Sequence, residues 1–142
     1  MWWMVALLAA LFWGINYTLT EKILSNIAPV TLLALEALVS ALTFSIMAYF
    51  SSWPNDRMVL INNPKILWLT IIETIVVLAA SFCIVFSISS KNATVTSVIE
   101  LIYPLFIVFF TWLFFGENHL SVPVVVGGIL IFVGVLVISL NA

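Results

Sequence analysis

The stretch "SVIELIYPLF", residues 97–106, decides how the chain is read. It lies in an apolar run that continues to Phe115, yet it carries a carboxylate, Glu100, and a helix breaker, Pro104. A charge at the middle of a membrane helix costs on the order of 3 kcal/mol. A proline inside a helix removes one backbone hydrogen bond and frees a carbonyl. Residues of this kind face a bundle interior or a watery cavity, not lipid.

The rest of the composition sets the class. Of 142 residues, 65% are hydrophobic and 7% charged, and the mean hydropathy is +1.31. Soluble domains carry roughly one charged residue in four. The chain is therefore read as an integral membrane protein. A net charge of −2 gives no case for nucleic acid or any charged macromolecular partner. The single cysteine, Cys83, lies in an apolar run and has no companions for a disulfide or a metal site. No metal or cofactor motif is present, no nucleophile motif either, and His119 stands alone in a loop, so an enzyme is disfavoured. The start, "MWWMVALLAALFWG", has no basic n-region and reads as a retained first span, not a signal peptide. "NYT" (16–18) and "NAT" (92–94) match the glycosylation triplet but touch spans, and are read as chance.

A spanning helix needs about 20 mostly apolar residues. Five segments meet this: 2–20, 30–51, 66–89, 94–115 and 123–140. The expected fold is an all-α bundle of five transmembrane helices, one domain over 1–142. The connections are "EKILSNIAP" (21–29), a long loop at 52–65, a tight "SKN" turn (90–92) and "GENHLS" (116–121) before Pro123. Five spans place the termini on opposite sides. Arg57 and Lys65 then lie on the amino-terminal side, with His119, and Lys22 and Lys91 on the other. Cytoplasmic loops normally hold the excess of Lys and Arg. Two against two chooses no orientation, which fits either a protein with few charges or one inserted both ways.

Three glutamates fall within spans: Glu36, Glu73 and Glu100. On helical spacing each has polar company. Glu36 lines up with Ser40, Thr43 and Met47, and Glu73 with Thr70, Thr74 and Ser81. Glu100 lines up with Thr96, Tyr103 and Thr111, and the first span offers Trp13, Asn16, Tyr17 and Thr20. One polar stripe per greasy cylinder is what a bundle around a polar cavity requires. The plainer reading is interhelical glue, because hydroxyls commonly bond across membrane helices. Aromatics near span ends, such as Trp2, Trp3 and Trp53, mark the interface with water. The candidate substrate and proton site is thus Glu36, Glu73, Glu100, Asn16, Trp13, Tyr17 and Tyr103.

Span five, "PVVVGGILIFVGVLVISL", has no ionisable residue. Gly127 and Gly134 are seven apart and share a side, which allows close helix approach. They are the expected dimer interface, with packing inside the chain as the alternative.

The ordered pieces resemble one repeat of the EamA-type transporters of the drug/metabolite transporter superfamily. "FWGINYTLTEKIL" (12–24) is similar to the family's first-helix pattern through Trp13, Gly14, Asn16 and Lys22. "IAPVTLLALEALVS" (27–40) matches at Pro29. The best match is 102–138, through Pro104, Gly116–Glu117, Gly127–Gly128 and Gly134. One departure is Glu36, where many members carry an arginine in the second helix. The fifth helix also resembles the last helix of the four-helix small multidrug resistance relatives, whose key glutamate is in the first helix; here that helix offers Asn16.

Most members have ten helices in two oppositely oriented repeats. A lone repeat resembles the unduplicated form, which implies an antiparallel homodimer working by alternating access. The expected function is secondary active transport of a small organic metabolite or drug, an amine or amino acid derivative, coupled to protons through the glutamates. The expected place is the cytoplasmic (inner) membrane of a prokaryote, as a multi-pass protein among membrane lipid. Two rivals stand beside it: a flippase-like handler of lipid-linked sugars, and a non-catalytic assembly subunit.

Overall fold

A computed structural model describes residues 1–117 and 121–140. Among these residues it is built of helices, with no strand: α1 (Trp2–Leu24), α2 (Pro29–Ser51), α3 (Trp53–Asn62), α4 (Pro64–Ser90), α5 (Ala93–Glu100), α6 (Tyr103–Phe115) and α7 (Val122–Ser139). Backbone polar groups in lipid must be satisfied within the segment, and helices do this. Five candidate spans are long and apolar enough to cross a membrane among the described residues: α1, α2, α4, the α5–α6 pair (Ala93–Phe115) and α7. His119 and the end of the chain lie outside the described residues.

The ends follow local chemistry. α1 runs four residues past the expected limit because Glu21 and Lys22 tolerate the helix as it leaves the apolar layer. Lys22 in the last turn suits the negative end of the helix dipole. The following turn closes the exposed carbonyls: the Ser25 hydroxyl donates to the Lys22 carbonyl at 2.6 Å, and the Ile27 amide to that of Ile23 at 3.1 Å. Pro29 then opens α2 at a position where a missing N–H costs nothing. Asn92 caps α5, its side chain accepting from the Val95 amide at 2.8 Å. The "NAT" triplet is thus the start of a helix. Gly116 ends α6 in the left-handed conformation, φ 68°, and its amide donates to the Trp112 carbonyl at 2.9 Å.

Residues 52–65 are not a loop. Their prolines and polar residues read as breakers, yet Pro54 sits in the first turn of α3, with Asp56 beside it at the positive end of the dipole. The real interruption is Asn63, in extended conformation between α3 and α4. Span four is not one regular helix either. Between α5 and α6 the backbone tightens to bonds over three residues: Leu101 amide to Val98 carbonyl, Ile102 to Ile99, and Leu105 to Ile102. Pro104, which has no N–H, sits in the first turn of α6.

The chain divides into two compact units, Met1–Ser90 and Lys91–Ala142. In the first, α4 packs against α1, α2 and α3. Its buried residues are Tyr17 and Thr20 on α1, Leu32 on α2, and Val85 and Ile88 on α4. All five lie toward the end of α1, the start of α2 and the end of α4, which is one end of the unit. In the second unit α5 packs with α7, and Leu105 of α6 meets Gly128 of α7. A Cβ on Gly128 would stand 2.5 Å from Leu105 Cδ2, so glycine permits this approach.

Burial is inverted relative to a water-soluble domain. Thr20 and Thr96 are among the most buried residues, at 3% and 6% exposure, while most large aliphatic and aromatic side chains point outward. In lipid an outward apolar side chain costs nothing, because the tails are as apolar as leucine.

Candidate functional site

The first helix carries its polar stripe inward at one end only. Tyr17 and Thr20 are buried; Asn16 is exposed, and Trp13 is 59% exposed. Trp13 and Tyr17 form an edge-to-face pair with ring centroids 5.6 Å apart. A T-shaped pair sets positive ring edge on negative ring face, which fixes Trp13 although its far side is open.

The glutamates occupy three different settings. Glu36 is half-buried in the second turn of α2, on the face that also turns Leu32 inward. Glu73 is exposed on α4. Glu100 is half-buried and is the last residue of α5, where the helix gives way to the tightened segment. Pro104 is the residue whose amide would reach the Glu100 carbonyl in a regular helix. The carbonyl ends of α5 and the Glu100 carboxylate therefore lie at the same interruption of span four. Tyr103, one turn on, opens α6 and is 52% exposed. Glu36 and Glu73 belong to the first unit, and Glu100 and Tyr103 to the second.

Position along the helices separates the first two carboxylates. Glu36 lies seven residues into α2 and Glu73 nine into α4, so by helix rise they sit ~10 and ~14 Å from the starts of helices that enter from opposite sides.

The hydroxyls of the stripes are less available than their spacing implied. Thr70 Oγ1 donates to the Ile66 carbonyl and Thr74 Oγ1 to the Thr70 carbonyl, each at 2.9 Å. Such bonds to one's own helix satisfy the hydroxyl proton without a partner from another element. They let Thr70 and Thr74 sit exposed in α4 without a partner helix. The same economy holds in an open apolar groove along α1, about 470 Å³, lined by Ala10, Leu11, Gly14, Ile15, Thr18 and Leu19. Its hydroxyl, on Thr18, donates to the Gly14 carbonyl at 2.9 Å.

Span five gives a different glycine from those the sequence singled out. Gly128 makes the close contact within the chain, while a Cβ on Gly127 or Gly134 would meet nothing within 4 Å. Spacing alone did not find Gly128. The available signal was its place opposite Leu105, which needs the fold.

A five-span chain with a carboxylate at a broken span and glycines on the last helix has a counterpart among known families. The family model of the EamA-like transporters matches residues 1–140. The chain belongs to the EamA-like transporter family. As an EamA-like protein it is a multi-pass membrane transporter of the drug/metabolite superfamily. The match runs across both compact units of this EamA-like chain. No curated protein and no solved structure matches it.

Proposed function

We propose that this EamA-like protein exchanges a small organic cation or zwitterion, an amine or amino acid derivative, for protons across a prokaryotic cytoplasmic membrane. The observation that carries the reading is Glu100, half-buried at the α5–α6 interruption inside a spanning segment. A carboxylate there can hold either a proton or a positive substrate, and binding one displaces the other. The carbonyl end of α5 adds negative potential at the same point, as half-helix ends do in transporters with broken helices. Every ionisable residue well inside the five spans is acidic, which favours a positive partner over a negative one. Glu36 and Glu73 are further carboxylates of the same chemistry within spans.

The working form is an antiparallel homodimer. The even distribution of Lys and Arg supports it, and so does Glu73, an exposed carboxylate within a span that a second copy would shield from lipid. Inverting one copy brings its Glu73 toward the depth of the other's Glu36, which makes two equivalent acidic layers.

Purified protein in proteoliposomes with an internal pH dye tests the reading. An amine gradient should drive proton efflux in the wild type, and Glu100→Gln should fold and insert but lose proton-linked exchange. Wild-type proton flux in the Gln variant at every pH would sink the assignment.

A further inference from the structure

The aromatic residues of the chain are unevenly placed. Seven of the twenty lie in the 13 residues of α6. Phe106, Phe110 and Phe114 are four apart, and Tyr103 is three before the first of them, so all four share one face. Phe110 and Phe114 stack, centroids 5.3 Å apart and planes 16° from parallel; Phe106 and Phe110 follow at 6.5 Å and 33°. All four are open, between 43% and 68% exposed. The stripe runs ~16 Å by helix rise, and its Tyr103 end lies one turn from Glu100.

Lipid contact alone does not call for this. Leucine or valine covers a lipid-facing helix as well, and α7 is built that way, with Phe132 as its aromatic residue. What rings add is a negative face for cations and a stacking surface for other rings. The Tyr103 end of the stripe also lies one turn from the point where the Glu100 carboxylate and the carbonyl end of α5 lie together. The geometry points to the α6 stripe as a specificity-determining surface for an aromatic organic cation, its charged head at Glu100 and its ring on Tyr103, Phe106 and Phe110. This rests on the transporter reading above and deepens it, since the carboxylate selects charge and the stripe selects rings.

Two cations of equal charge and similar size separate these contributions: benzyltrimethylammonium and its saturated counterpart, cyclohexylmethyltrimethylammonium. The saturated one is the greasier, so simple partition into lipid or detergent favours it. Equilibrium dialysis against the full chain in mild detergent should show the benzyl compound bound roughly two- to tenfold more tightly, the range for an added aromatic pair. Phe110→Leu, which keeps an apolar helix former, should abolish that preference, and Phe110→Tyr should keep it. Circular dichroism confirms that each variant is helical. A preference unchanged in Phe110→Leu would mean that the stripe faces lipid, and the proposal falls. It falls too if the wild type binds both cations equally, or neither. Glu100→Gln tests the underlying reading separately: it should weaken both cations alike and leave their ratio intact. If it weakens neither, the Glu100 exchange site is lost, and with it the placement of the charged head.

Discussion

Single residues carry definite conformational demands in this chain. Gly116 stands at φ 68°, a conformation that costs an L-residue about 1 kcal/mol or more. Gly116→Ala should lower stability by about 1 kcal/mol, read as an earlier midpoint in denaturant, and Gly116→Asn by less, because asparagine tolerates that conformation. An alanine variant as stable as the wild type would show that α6 does not need its left-handed cap. The glycines of α7 divide on a different ground. Gly128→Leu puts a side chain where Leu105 already stands, so the monomer itself should lose stability. Gly134→Leu enters open space, so the monomer should stay helical and stable. If the dimer uses that face, crosslinking in mild detergent should fall for Gly134→Leu. Dimers that persist in both Gly127→Leu and Gly134→Leu place the interface elsewhere. Glycine spacing was legible in the sequence, but whether a glycine faces its own chain or open space was not, because spacing gives a side and not a neighbour.

Among the elements, the α5–α6 pair holds the most testable claim. Pro104→Leu restores the amide that can close onto the Glu100 carbonyl. Residues 101–105 should then become regular helix, with slower amide exchange there, while amine–proton exchange falls. Transport at the wild-type rate in a regularised span would show that the interruption is dispensable. Asn92 acts at the other end of α5. Asn92→Ala removes the acceptor for the Val95 amide and should cost about 1 kcal/mol, read in the same denaturant midpoint. The proline was legible as a breaker, and its effect proved milder than a kink: Leu101 and Ile102 keep right-handed helical dihedrals. α3 was the converse failure. Pro54 and Asp56 read as loop residues from composition, and only their position in a first turn makes them helix starters.

For the whole molecule the open matter is orientation. Arg57 on α3 and Lys65 at the start of α4 balance Lys22 and Lys91 across the membrane. A carboxy-terminal reporter active on one side only should score in both directions. Two lysines added within residues 55–63 should force one orientation, by the bias that cytoplasmic positive charge imposes. That variant should be inactive alone and regain exchange when co-expressed with a copy biased the other way. Activity of the forced form by itself would refute the antiparallel dimer.

Class, the five spans and the family were legible along the chain, because apolar length and breaker positions act locally. The sequence also marked Glu36, Glu73 and Glu100 as residues too costly to be incidental. Which polar residues turn inward was set by helix packing. Thr20 and Thr96 are buried, whereas Thr70 and Thr74 stay outside with their protons held by their own helix. Helical periodicity assigns a residue to a face, and in lipid that face has no preferred direction until another helix packs against it. The same reason separates Gly128 from Gly127 and Gly134, and Tyr17 from Asn16.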